Sequence, residues 1–418
     1  MNSVIGLLMA GLVVGGVVLV VNRRKRRVEV PGPPGGVPAF KVVTLGLQGS
    51  GKTLLLTSIY RRLQTPGDRG FYLRVPHEQL IELNRWYREA ADVGREWPQG
   101  TTRGEMREFE FSVMANVGGM AEPVLKLGYL EYPGELLTDP DAPGSTAQAN
   151  LLAAISQADA LVGIIDGFRL RQAYHGDQRG QLLLEASLDA MINAMLPVRS
   201  PIAFVITKWD LLDELHPDED MRLHIVRTQL MKVPGFRDLV KVHSARRVVR
   251  LIPVTAVGHD FAVFRDGAVR KKPGGHFEPA NVDATLAVVV PDILRQTETA
   301  LDNATRTALL SAAQRRMRMG PAEAVQTLAT YVTAKAGKAL VSALSAGMLA
   351  ESGLALLLDS RSDPLEYATR VSRLSEADRR AEEYVQARRH VVGELQRQVA
   401  VLEAKLPSSR LAADQWGG

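Results

Sequence analysis

The chain of 418 residues is too long for one ordinary domain and long enough for two or three. Its 46% hydrophobic and 23% charged content is that of a folded protein, and the lack of cysteine excludes a disulfide scaffold, a thiolate metal site and a cysteine nucleophile. Of the 51 basic residues, five form the run Arg23, Arg24, Lys25, Arg26 and Arg27; the other 46 balance the 46 acidic residues, so the net charge of +5 is local and gives little support to nucleic-acid binding.

Ser3 to Val21 carries no charge and is rich in Val, Leu and Gly. It is about long enough to cross a hydrocarbon core of roughly 30 Å. A secretory signal peptide would put basic residues before a shorter apolar run, and a buried core helix would show a polar face. Here the basic run follows, so residues 1–22 are expected to be a single-pass anchor in the cell membrane, with the N-terminus outside and the body cytoplasmic. Gly11 and Gly15 make a G-x-x-x-G pair, either a helix-dimerisation face or a coincidence in a Gly-rich span. Residues 23–39 hold the basic run and the Pro/Gly spacer Val30 to Val37, which can form neither a helix nor a central strand.

Val42 to Leu45 reads as a strand, and Leu54 onward as a helix. Between them, GLQGSGKT from Gly46 to Thr53 fits the phosphate-loop pattern G-x-x-x-x-G-K-[ST]. Such a loop wraps a phosphate chain with the N–H groups of Gly46, Gly49, Ser50 and Gly51, and the new helix points its positive end at the same phosphates. Lys52 would reach the β- and γ-phosphates, and Thr53 would hold Mg²⁺.

The first helix is expected to end before Thr65-Pro66-Gly67, and a second runs from His77 to Ala91. Trp97 to Gly104 is a turn-rich loop bearing Thr101 and Thr102. Glu108 to Val113 alternates like an exposed-edge strand, Asn116 to Gly119 turns the chain, and Val124 to Leu130 is its partner, running into Glu131-Tyr132-Pro133-Gly134-Glu135. Leu161 to Ile165, ending at Asp166, reads as a buried parallel strand, and Gln181 to Met195 as a helix. A further buried strand, Ile202 to Ile206, ends in Thr207-Lys208-Trp209-Asp210, which fits the guanine motif [N/T]-K-x-D. The carboxylate takes the ring N–H and exocyclic amine of guanine, a donor pair adenine lacks, and the lysine stem lies over the base. Leu251 to Thr255 leads into Thr255-Ala256-Val257-Gly258.

These segments, in this order and each at a strand end, resemble a TRAFAC-class (Ras-like) GTPase domain over about residues 40–301. The Pro-Gly-Glu form of the third motif, the long segment before Thr101 and the C-terminal extension are most similar to the bacterial double-GTPase family, which is associated with prokaryotic conflict (defence) or signalling systems. A single N-terminal span before such a domain also resembles the signal-recognition-particle receptor β-subunit, which lacks this C-terminal extension. The resemblance implies an α/β fold, a three-layer P-loop NTPase domain preceded by one transmembrane helix and followed by an α-helical extension. It implies GTP/GDP and Mg²⁺ as cofactors. Thr101 or Thr102 would reach the metal with Thr53, Glu131 would hold a metal-bound water, and the Gly134 N–H would bind the γ-phosphate. The backbone of Thr255 and Ala256 would contact the guanine oxygen, beside Thr207, Lys208 and Asp210. Lys52, Thr102 and Glu135 would carry hydrolysis. Glu131 stands where the family pattern is D-x-x-G, and Glu135 where a water-orienting Gln is frequent, so slow turnover is expected. Rival expectations are an ATP-driven secretion-type enzyme, a dynamin-like remodelling GTPase and a nucleotide-locked scaffold.

Phe261 to Lys271, with Asp266-Gly267 at its centre, reads as an inserted hairpin, either a surface flap or a partner contact. Val282 to Leu301 is expected to be the domain's last helix. Residues 302–360 are Ala/Leu-rich, either packed helices or a membrane-surface segment. Residues 361–406 carry Tyr384, Val391, Leu395, Val399, Leu402 and Leu406 at helical spacing, a coiled-coil arm or bundle helix through which copies could associate or a protein effector dock. Residues 407–418 are expected to be a disordered tail.

Overall fold

The structure, a computed structural model, describes residues 37–100, 106–132, 136, 146–265, 268–295, 297–298, 301–305 and 364–411. The expected anchor, the basic run and most of the spacer lie outside the described residues. So do Thr101, Thr102, Gly134, Glu135, the Asp266-Gly267 turn and nearly all of the Ala/Leu-rich region. Among the described residues no helix is long and apolar enough to cross a membrane.

The fold is α/β, built on a mixed sheet of eight strands. These are β1 (Ala39–Leu45), β2 (Phe71–Arg74), β3 (Arg107–Val117), β4 (Met120–Glu131), β5 (Ala160–Asp166), β6 (Ile202–Thr207) and β7 (Val249–Pro253), joined at the edge by Arg410–Leu411. A separate hairpin pairs β8 (Ala262–Arg265) with β9 (Ala268–Lys271), so the late edge strand is β10. The order across the sheet is β10-β7-β6-β5-β1-β4-β3-β2. β4, β1, β5, β6 and β7 run parallel, while β2, β3 and β10 are antiparallel to their neighbours. The apolar runs of β1, β5 and β6 are buried on both faces, as parallel strands covered on each side require. β1 lies between β4 and β5, so the chain leaves it toward opposite sides. Ligands of open α/β sheets bind at such a reversal, beyond the carboxyl ends of the strands.

The helices alternate with these strands. They are α1 (Lys52–Leu63), α2 (His77–Ala91), α3 (Thr146–Gln157), α4 (Gly167–Tyr174), α5 (Gln178–Met195), α6 (Glu219–Lys232), α7 (Pro234–Ser244), the short α8 (Ala284–Ala287) and the long α9 (Pro364–Lys405). Asp166, Asp177 and Asp218 each accept backbone N–H bonds at the starts of α4, α5 and α6, which satisfies donors a helix leaves open.

Four expectations are corrected. β3 is not an edge strand, because β2 pairs along its outer side; β2 has only four residues, too few to give an alternation signal. Val282 to Leu301 is not one helix. α8 stops at Ala287 and helix resumes at residues 290–295, since Pro291 has no N–H for the preceding turn and suits the start of a new helix. The tail is ordered through Leu411: Pro407–Ser409 form a 3-10 turn, and Arg410 and Leu411 pair antiparallel with Arg250 and Val249 of β7. The apolar stripe of α9 is not a free arm. Ala381, Val385, Val391, Leu395, Val399, Leu402 and Leu406 are buried within the same chain. The helix is tied from Glu122 of β4, through Arg380 at 2.6 Å, to Arg250 of β7, through Glu403 at 2.7 Å.

Candidate nucleotide site

The loop between β1 and α1 turns on Gly51, whose φ of +89° places it in the left-handed region at the helix N-cap. A side chain there would be strained, so glycine at this position is a backbone requirement. The Lys52 ammonium folds back over the loop and donates to the carbonyl oxygens of Gly46 at 2.7 Å and Leu47 at 2.9 Å. Ser50 is buried, and its hydroxyl has no hydrogen-bond partner among the described residues. Gly46 packs against β5: a β-carbon there would lie 2.8 Å from that of Ile164.

Thr53, the second residue of α1, donates to Glu131 Oε1 at 3.0 Å. Both side chains are buried, and Glu131 ends β4, the parallel neighbour of β1. Two residues 78 positions apart are thus brought to one point beside the phosphate loop. Together they offer a hydroxyl and a carboxylate, hard oxygen donors of the kind Mg²⁺ takes. Among the described residues no cluster of three His, Asp or Glu side chains forms a fuller cation site.

The end of β6 meets the same loop from the other side. The Thr207 hydroxyl donates to the Ser50 carbonyl at 2.6 Å. Lys208 has φ of +51°, uncommon for a side-chain-bearing residue, and its ammonium reaches the Gly49 carbonyl at 2.7 Å and Asp166 Oδ2 at 3.0 Å. The close fit depends on Gly167, where a β-carbon would lie 2.3 Å from the Thr207 carbonyl. Asp210, in the 3-10 turn Trp209–Leu215, has a buried Oδ1 with no hydrogen-bond partner among the described residues. Burial pushes its carboxyl up from the ordinary range, and a hydrogen bond from Thr255 partly offsets this. The 255–258 loop is held by Gly258 N–H donating to Thr255 Oγ1 at 2.9 Å and by the Ser58 hydroxyl of α1 donating to the Ala256 carbonyl at 2.7 Å.

One cavity of ≈ 350 Å³ joins these parts. Gly49, Gly51, Lys52, Thr53 and Glu131 line it together with Thr207, Lys208, Asp210 and Ala256. Of the residues singled out from sequence, Thr101, Thr102, Gly134 and Glu135 lie outside the described residues; Gly46, Ser50 and Thr255 sit behind the wall, in the loops that form it. Sequence reasoning missed two contributors. Asp166, an acidic residue closing a buried parallel strand, occupies the same kind of position as the motifs and pairs with Lys208. Trp97, which no motif marks, lines the cavity with Ala262 and Val269 of the hairpin.

No family model matches the chain, and no curated protein matches it. Among solved structures it is similar to the signal recognition particle receptor SRb-GTP/SRX complex from Chaetomium thermophilum, with 16% identity and a TM-score of 0.31 over 52% of this chain and 91% of that one.

Proposed function

We propose that the chain is a GTP-binding switch that hydrolyses GTP slowly with Mg²⁺. The observation that carries this is the buried Asp210 carboxylate oxygen, unpartnered among the described residues, in a residue that lines the same cavity as Gly49, Gly51, Lys52 and Thr53 of the G-x-x-x-x-G-K-[ST] loop. A buried carboxylate oxygen without a partner is costly, and the paired N–H donors of guanine would satisfy it. Lys208 holds the base end against the phosphate loop. Thr53 and Glu131 would hold the metal, which supplies charge neutralisation at the β- and γ-phosphates; Lys52 would add a second positive charge there. The sequence order of motifs supports the TRAFAC class, and the Pro-Gly-Glu motif supports the double-GTPase branch with its signalling or defence role; the uncharged run before Arg23 to Arg27 supports residues 1–22 as a membrane anchor, and Glu135 in place of a water-orienting Gln supports an activating partner.

The test is a direct comparison of GTP and ATP binding by the purified protein, with Asp210→Asn alongside. GTP should be preferred, and the variant should exchange guanine for xanthine, because xanthine carries an oxygen where guanine carries an amine. Losing such a contact in a site built for it costs on the order of 10⁴-fold in discrimination. Equal affinity of the wild type for ATP and GTP would favour the ATPase alternative and end the guanine reading.

Turnover supplies a second check. With Glu135 in place of a water-orienting Gln and no resident arginine finger assigned, isolated protein should hydrolyse GTP at roughly 10⁻⁴ to 10⁻³ per second. Lys52→Ala should abolish binding or turnover. A partner-free monomer faster than about one per second would exclude a slow switch whose acceleration comes from outside.

A further inference from the structure

We infer that Trp97 and the β8–β9 hairpin are a further part of the nucleotide-binding site: the outer wall that holds a bound guanine nucleotide in place and sets its residence time. The inference rests on the guanine-nucleotide reading of the cavity. It goes beyond that reading because none of the sequence motifs includes these residues.

The hairpin is inserted directly after the Thr255–Gly258 loop, and the chain closes beneath it with Lys272 N–H donating to the Phe261 carbonyl at 2.8 Å. It contributes Ala262 and Val269 to the cavity wall, and Trp97, Pro98 and Gly100 complete that side. The wall is therefore made from two segments about 170 residues apart, and their junction is specific. The Trp97 indole N–H donates to the Val269 carbonyl at 2.9 Å. The Lys271 ammonium lies 4.8 Å from the Trp97 ring centroid and gathers carbonyl oxygens from the end of α2 and the chain beyond it: Glu89, Asp92 at 2.8 Å, Arg95 at 2.8 Å and Glu96 at 3.3 Å. A helix C-terminus leaves such carbonyls open, and a cation is their natural cap. On its other strand the hairpin is fastened by Phe264 against Phe168, with ring centroids 4.6 Å apart, next to the Asp166–Lys208 pair.

The hairpin thus spans from the base-end motifs to the segment that leads into the threonine-bearing loop. An apolar wall with a few fixed polar anchors is how small-ligand sites hold a flat, amphipathic group. If release parts the Trp97–Val269 and Lys271 contacts, their loss is read in the dissociation rate.

The test measures release of a fluorescent GDP analogue (mant-GDP) from the full chain, wild type against Trp97→Phe and Lys271→Met. The first keeps a ring and removes the indole N–H; the second keeps a long stem and removes the ammonium. Trp97→Phe should speed release roughly three- to tenfold, the size expected for one lost hydrogen bond, and Lys271→Met, which removes several, by at least as much, while the preference for GDP over ADP set by Asp210 stays unchanged. Lys271→Arg should restore release toward the wild-type rate. Thermal melting without nucleotide reports whether each variant folds, and if Trp97→Phe does not, the two Lys271 variants decide. Wild type that does not bind mant-GDP would overturn the guanine reading and the wall together. Wild-type binding with release from the folded variants within twofold of wild type would overturn the wall alone.

Discussion

Under the proposed guanine reading, Asp210 couples the site to pH. Its carboxyl is raised by burial, so in the free protein it stays protonated to a higher pH than an exposed aspartate would. Guanine donors favour the ionised form. As pH falls through the raised value, the free protein takes up a proton that binding must expel, and affinity falls by up to about tenfold per pH unit. In the free protein the sign for stability is the opposite: the contribution of this group is greatest when it is protonated and is lost as pH rises through the folded value. Calorimetric titration of GDP across the acid range should show the loss of affinity in the wild type. Asp210→Asn, titrated with xanthosine diphosphate, should lack the component due to this carboxyl. A wild-type affinity that is flat with pH would remove Asp210 from the base contact.

At the scale of elements, α9 is the part whose role changes most once it is placed. The helix has 42 residues and is roughly 60 Å long from its rise per residue. Its buried stripe closes the core, and Arg388 is carried inside with it, donating to Thr305 Oγ1 at 2.8 Å and lying 3.5 Å from Asp302. Burial lowers the Arg388 pKa and raises that of Asp302, the expected cost of enclosing both partners. Leu395→Ala should destabilise the protein by about 2–5 kcal/mol, the usual range for truncating a buried leucine, read as a shift in the urea midpoint. Deleting the helix would also strip β10 from the β7 edge. An unchanged midpoint for Leu395→Ala would mean that the stripe is not part of the cooperative core.

In the whole molecule, the candidate site and α9 occupy opposite ends of the sheet. The cavity lies beyond the carboxyl ends of β1, β4 and β6, while α9 meets Glu122 and Arg250 near the amino ends of β4 and β7. A partner that binds the exposed side of α9 would therefore act on nucleotide through the sheet rather than by touching it. The proposed anchor belongs to this scale as well. A tag placed after Met1 should be accessible outside intact cells, and one after Gly418 should not, because the basic run follows the apolar segment. The reverse pattern of accessibility would reverse the assignment.

Sequence alone determined what local chemistry determines. The phosphate loop was legible because its glycines, Lys52 and Thr53 must sit at fixed spacing between a strand and a helix. T-K-W-D was legible as a fit to the guanine motif because its lysine and carboxylate sit at fixed spacing at a strand end. The central strands were legible because strands buried on both faces must be continuously apolar. Only the tertiary structure decided what depends on distant partners. The Thr53–Glu131 contact, the reach of Lys208 to Gly49 and Asp166, and the meeting of Trp97 with Val269 join residues far apart in the chain, and no periodicity encodes them. The stripe on α9 has the same spacing whether it faces a second helix or its own sheet. Geometry chose its own chain, because β3, β4 and the buried Ile293, Leu294 and Leu301 lie beside Glu122, Glu298 and Asp302, acids that its arginines meet.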